Sequence, residues 1–249
     1  FCFEEFADRV AELVEKHVNI NRLLELTKPV ATAVVPISAG RHIYKREPSF
    51  PIAVACDPAF NFVYEANIRY LHHLGEVTYF SPLADTSLPD AGFVYLPGGY
   101  PELYLAALSA NRQMLQSIRR YVESGGKLLA ECGGMMYLCD EIRDKNGYVY
   151  PMAGVLHQSA TMENMKLRLG YRTLLYNETR LKGHEFHYSR LVEQQNPLPS
   201  CAVAYTAKGV ETDTPLYHYK NVWAGYTHLY WADPVGNEWF TKFVIDGNI

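Results

Sequence analysis

The sequence has no C-x-x-C pair, no apolar run of membrane-spanning length and no excess of basic charge. Each absence removes a class of protein. The five cysteines, Cys2, Cys56, Cys132, Cys139 and Cys201, are odd in number, which argues against a disulfide framework, and without C-x-x-C spacing no zinc or other metal site is expected. A reducing cytoplasm is the expected setting. No segment approaches the ~20 apolar residues of a membrane helix, and the N-terminus lacks the basic-then-apolar form of a signal peptide. A formal net charge of −4 leaves no basic stripe for nucleic acid. Repeats and low-complexity tracts are also missing. What remains, 48% apolar and 20% charged over 249 residues, is ordinary for a globular protein of one large domain, or one domain with an appendage. The chain starts at Phe1 without a methionine, so a fragment or processed chain is expected.

Within residues 3–27, apolar positions at Phe3, Phe6, Val10, Leu13, Val14, Leu23, Leu24 and Leu26 alternate with charged ones at helical spacing. Two amphipathic helices meeting near Asn19 are predicted. Pro29, Pro36, Pro48 and Pro51 then mark a linker over 29–50. From 51 onward short apolar runs alternate with helical patterns. Strands are predicted at 52–55, 76–80, 92–96 and 127–131, with helices at 62–74 and 111–123. Such alternation means an α/β fold with a mostly parallel sheet covered by helices on both faces. The stretch 151–206 reads as strand-rich, 222–229 as a further strand, and 237–245 as a closing helix. Cys56 and Cys139 sit inside apolar patterns and are expected in the core.

The most informative segment is Lys127-Leu-Leu-Ala-Glu-Cys-Gly-Gly-Met-Met-Tyr-Leu138. A buried strand ends at Glu131-Cys132, two glycines follow, and a helical pattern begins. A cysteine at a strand-to-helix turn is held clear of its own backbone, and a helix N-terminus favours its thiolate. This is the geometry of a nucleophile elbow, although an isolated Cys-Gly-Gly serves equally as a buried structural turn. Glu131, next to the cysteine, is expected to point away along the strand. Strand ends are where open α/β sheets build sites. A second glycine pair, Gly98-Gly99, ends another strand, and backbone N–H groups at Gly99 and Gly133 can converge as an oxyanion hole requires. Among nine histidines, His228 ends the strand Ala224-Gly225-Tyr226-Thr227, which places it on the same sheet edge as Cys132. His72 and His73 fall on a helix and are expected to be solvated. His17, His42, His157 and His218 have no context that singles them out. In His184-Glu185-Phe186-His187-Tyr188-Ser189 the histidines are three apart, not the four of a zinc helix, and Glu185, His187 and Ser189 share one side of a strand. Gly125-Gly126-Lys127 lacks the upstream glycine and the Ser/Thr of a phosphate loop, so no ATP site is expected.

Four ordered motifs carry a resemblance: Leu96-Pro-Gly-Gly-Tyr-Pro-Glu102, Ala130-Glu-Cys-Gly-Gly-Met-Met136, Gly183-His-Glu-Phe-His-Tyr-Ser189 and Gly225-Tyr-Thr-His-Leu229. Together they resemble the class I glutamine amidotransferase domains of the cobyrinic acid/cobyric acid synthase type, over about residues 51–249. The third motif is most similar to the cobyrinic acid a,c-diamide synthase branch. Residues 1–28 resemble the last helices of the ATP-dependent synthetase domain that precedes the amidotransferase there. The resemblance implies a flavodoxin-like sheet, Cys132 as nucleophile, His228 as its proton partner, and an oxyanion hole at Gly99 and Gly133. It also implies glutamine bound near Gly98, Tyr100, Glu102, Glu185 and His187. No cofactor is implied for this chain; ATP and Mg belong to the synthetase domain, which would also bind the corrin. Most class I relatives carry a glutamate two residues after the histidine; here that residue is Tyr230. Paralogues acting on another tetrapyrrole or a cell-wall precursor, another cysteine-elbow hydrolase, and a non-catalytic docking domain are the competing readings.

Overall fold

The structure is a computed structural model that describes residues 3–27 and 50–246. The chain divides into two compact units, Phe1–Arg46 and Glu47–Ile249. Cys2, His42 and all but the last residue of the expected linker lie outside the described residues.

In the first unit, helix α1 (Phe3–His17) and helix α2 (Ile20–Leu26) form as the apolar spacing requires. Asn19 separates them and caps α2, its side chain accepting from the Arg22 N–H at 2.9 Å. No residue of either helix is buried.

The second unit opens with β1 (Pro51–Ala55), α3 (Glu65–Leu74), β2 (Glu76–Phe80) and β3 (Phe93–Leu96). It continues with α4 (Leu105–Ala110), α5 (Arg112–Glu123), β4 (Lys127–Glu131) and α6 (Gly133–Leu138). Helix α3 starts three residues after the expected Phe62, and α4 was not foreseen, its Leu-Ala-Ala-Leu being too short to show a period. Then follow β5 (Cys139–Arg143), β6 (Val149–Pro151), β7 (Leu156–Thr161), β8 (Arg168–Tyr176), β9 (Thr179–His187) and β10 (Arg190–Leu191). The chain finishes through β11 (Val203–Thr206), β12 (Glu211–Thr212), β13 (Leu216–Tyr219), β14 (Val222–Gly225), β15 (His228–Leu229) and α7 (Pro234–Thr241).

The central sheet has the order β13-β14-β4-β3-β1-β2 and is parallel except for β13. Alternate residues of its strands face opposite layers. Ala53, Val94, Leu96, Leu128 and Ala130 pack against Met114, Ile118 and Val122 of α5 and against α6. Ile52, Val54, Phe93, Tyr95 and Leu129 pack against Ile68 and Leu71 of α3 and Trp239 and Phe240 of α7. This second layer also takes Leu174, Leu181 and Ala204 from an antiparallel sheet of order β12-β11-β8-β9-β15. A third sheet, β10-β7-β5-β6, follows α6. The strand-rich reading of 151–206 thus resolves into two extra sheets.

Three expectations are corrected. The run 222–229 is not one strand: it breaks after Gly225, and His228–Leu229 joins β9 in another sheet. The closing helix starts three residues earlier, at Pro234, with Asp233 as its cap accepting from Gly236 N–H at 2.7 Å. It runs to Thr241 and continues as a π-helical turn over Lys242–Asp246, so its expected end near Ile245 holds. Cys56 is exposed, because it lies one residue beyond β1, whereas Cys139 is fully buried.

Candidate active site

Strands β4 and β14 run parallel with Gly225 opposite Glu131, so the residues after both emerge on one rim. Cys132 donates its backbone N–H to Gly225 O at 2.7 Å and begins α6 through Met136 N–H to Cys132 O. Its φ of 49° is unusual for a residue with a side chain. The elbow is therefore real: a strand-to-helix turn sharp enough to put a cysteine in the left-handed region. A Cβ on Gly133 would stand 3.2 Å from Gly99 N, so the two glycine backbones are in close approach.

The Sγ of Cys132 sits 3.9 Å from Phe186 O of β9. Two residues earlier on β9, His184 is the register partner of His228. A cavity of about 20 Å³ adjoins the thiol, walled by Gly99, Tyr100, Glu102, His187 and Ser189 among others. That is room for about one water molecule. His228 is not one of its walls; its ring packs against Gly98, where a Cβ would fall 2.1 Å from Cε1. Glu185 lies elsewhere, 1% exposed and within 2.7 Å of Arg172 as an ion pair. It borders a larger cavity of about 590 Å³ that shares only His187 with the small one. His187 stacks on Tyr226 at 3.8 Å and its Nδ1 faces Ser189 O at 2.9 Å. The expected row of Glu185, His187 and Ser189 is buried on one side.

The electrostatics differ from those expected of a helix N-terminus. Burial, followed by the negative charge of Glu102, pushes the Cys132 thiol up to about 12, outweighing the Gly133 N–H that favours thiolate. Cys132 therefore rests as a thiol and needs a base. His228 is 3% exposed, and burial, then His184 and His187, draw it down to about 3, so it rests neutral. Its ring contacts Phe62, at 4.5 Å, and stacks on His184, at 5.1 Å, and those two rings also touch each other, at 5.4 Å; His184 Nδ1 is bonded to the Tyr64 hydroxyl.

Glu131 does not point away, as expected; it turns inward. The carboxylate accepts the Tyr95 hydroxyl at 2.6 Å and the Leu229 N–H at 3.0 Å, and Oε2 stands 3.9 Å from His228 Nδ1. Burial pushes it up to about 8. The signal for this was present in the strand period: Glu131 shares a side with Leu129, which faces the layer that contains Leu229 and Trp231. Tyr95, Phe62 and Tyr226 were also not foreseen, since each reaches the site only through a fold contact. His72, His73, His17, His157 and His218 are exposed. Lys127 donates to Val244 O and Ile245 O at 2.8 and 2.9 Å, consistent with a strand start and not a phosphate loop. Among the described residues no group of three His, Cys, Asp or Glu is arranged to hold a metal. No helix among them is long and apolar enough to cross a membrane.

Known proteins are similar to this chain in sequence and in fold. The chain is 37% identical over 236 residues to the cobyrinate a,c-diamide synthase of Picrophilus torridus, covering 90% of this chain and 49% of that protein. It is 37% identical over 235 residues to the hydrogenobyrinate a,c-diamide synthase of Pseudomonas aeruginosa, covering 91% and 52%. The chain thus spans about half the length of these relatives. A crystal structure of a glutamine amidotransferase shares the fold with a TM-score of 0.51 at 17% identity, covering 78% of this chain and 98% of that one. Residues 51–235 match the CobB/CobQ-like glutamine amidotransferase domain. The chain belongs to that family.

Proposed function

We propose that this chain is the ammonia-generating half of a cobyrinate a,c-diamide synthase, with Cys132 as nucleophile and His228 as its proton partner. The observation that carries the reading is Cys132 itself: a buried thiol at φ 49° on the sheet rim, beside the Gly99–Gly133 close approach. Such a backbone costs free energy of order 1–3 kcal/mol and persists where it positions a reacting atom.

In this mechanism Sγ attacks the side-chain carbonyl carbon of glutamine while the thiol proton passes to His228. N–H groups at Gly99 and Gly133 hold the oxyanion. The C–N bond then breaks as His228 returns the proton to the leaving nitrogen, giving ammonia and a thioester. Water, deprotonated by His228, attacks the thioester, and glutamate leaves with the thiol restored. Glu102, in the same cavity, suits the α-ammonium of glutamine, with Gly98 and Tyr100 forming the adjoining wall. His187 closes the pocket on the side toward Glu185 and the larger cavity. Because the cavity beside the thiol holds about one water, glutamine entry needs its walls, residues 186–189 with Gly99, Tyr100 and Glu102, to part. The acceptor chemistry, ATP-dependent amidation of corrin acetates, belongs to a synthetase domain outside these residues, and residues 1–28 fit the end of that domain.

The test is alkylation by a diazoketone analogue of glutamine. One adduct at Cys132, suppressed by excess glutamine, is expected. Cys132→Ala should abolish both the adduct and glutamate release in the full-length protein. Labelling that persists in Cys132→Ala, or glutamate release that survives it, would overturn the reading.

A further inference from the structure

The catalytic reading leaves His228 without a group to orient it, since the position two residues later is Tyr230. A histidine that serves a thiol through one ring nitrogen must carry its proton on the other. Only then does the facing nitrogen offer a lone pair. His228 Nδ1 is buried and has no hydrogen-bond partner among the described residues. The nearest carboxylate among the described residues is Glu131, at 3.9 Å.

We propose that Glu131 is the positioning residue of this site, its carboxylate holding His228 in the Nδ1–H form so that Nε2 is left for Cys132. The proposal rests on the Cys132–His228 reading. Three features support it. Glu131 is 2% exposed, so a charge there serves no solvent-facing purpose. Two donors already hold the carboxyl from opposite elements, Tyr95 on β3 and the Leu229 N–H next to His228 in β15. That second bond ties the glutamate to the backbone next to the histidine, so the carboxyl is kept beside the ring. A shift of about 1 Å would close the remaining gap to hydrogen-bond length. The sequence position is also economical: nucleophile and positioning group are consecutive residues. Cys132 packs in the core layer opposite the one, containing Leu229, that Glu131 enters.

The groups that face this pair are Tyr95 from β3, Tyr64 ahead of α3, His184 and His187 from β9, and Cys132 beside it. None of the three histidines is drawn toward its charged form by this surrounding, since burial lowers all of them. The ionised carboxyl is the acting form. With the Glu131 carboxyl raised by burial to about 8, the Nδ1–H form of His228 gains as pH rises through that value.

The test is the tautomer of His228, read from long-range ¹⁵N–¹H spectra of this chain, with His228→Asn used only to assign its signals. In the wild type, Nδ1–H signals should grow between pH 7 and 9. Glu131→Gln, whose amide donates to Nδ1 instead, should hold the Nε2–H form throughout. Tyr95→Phe removes one donor that favours the carboxylate, so the transition should move to higher pH, and it keeps the test alive if the glutamine variant does not fold. An unchanged tautomer and pH response in these variants overturns the proposal. In the full-length protein Glu131→Gln should lower kcat for glutamate release at least tenfold with KM nearly unchanged. If Cys132→Ala abolishes release while Glu131→Gln leaves kcat and its pH profile intact, the glutamate role fails alone. If Cys132→Ala is active, the parent reading fails first.

Discussion

At the scale of single residues the site depends on how little space surrounds His228. Its ring packs against the mutually touching rings of Phe62 and His184 and against Gly98. A methyl group at 98 would fall 2.1 Å from Cε1, so the ring, 3% exposed, would have to shift against its neighbours. Gly98→Ala is therefore expected to displace the imidazole and not to break the fold. Steady-state glutamate release should drop tenfold or more, while the melting temperature falls by only a few degrees. A variant with wild-type turnover would show that the ring position is not critical. Glu131 illustrates how the same density changes chemistry. In water it would be an ordinary carboxylate; here burial pushes it up to about 8, although the bonds from the Tyr95 hydroxyl and the Leu229 N–H pull it the other way.

Among the elements, α3 has a task beyond covering the sheet. Asn67, fully buried on that helix, donates to Leu229 O at 2.8 Å and accepts from Trp231 N–H at 2.9 Å. It thereby clamps the segment that begins at His228. β15 is only two residues long and pairs with β9 at His184 and Gly183, so it has few ladder bonds of its own. Asn67→Ala would leave a buried carbonyl and a buried N–H unpaired, at a cost of about 2–4 kcal/mol. Urea unfolding should show that loss. Because Glu131 bonds the Leu229 N–H, the same change should also lower turnover in whatever fraction stays folded.

For the whole molecule, the buried site residues give stability a defined pH dependence. His228, drawn from 6.5 to about 3, is neutral in the folded chain while the unfolded chain binds a proton, so stability rises with pH between those values. Glu131, pushed from 4.5 to about 8, keeps a proton that the unfolded chain has released, so stability falls with pH across that window. The two trends oppose each other between 4.5 and 6.5, and only the fall remains from 6.5 to 8. At about 1.4 kcal/mol per pH unit, that fall is about 2 kcal/mol. Denaturant midpoints measured across pH 4–9 should show a plateau followed by a decline, and Glu131→Gln should flatten the decline. A decline of equal size in that variant would place its origin elsewhere.

The chain order of apolar runs, glycine pairs and the Cys-Gly-Gly turn determined the α/β layering, the strands 52–55, 76–80 and 127–131, the elbow at Cys132 and the family. These are local matters, written in periods of two and 3.6 and in the conformational freedom of glycine. Tertiary structure alone decided that 222–229 breaks between two sheets and that Glu185 is committed to Arg172. It also decided that burial makes the Cys132 thiol a weaker acid and not a stronger one, and that Glu131 faces His228. Each of those depends on which distant groups exclude water from a side chain. Desolvation and cross-strand pairing are set by residues ~40 to ~100 positions away, such as Tyr95 and Leu229 for Glu131, which no local pattern encodes.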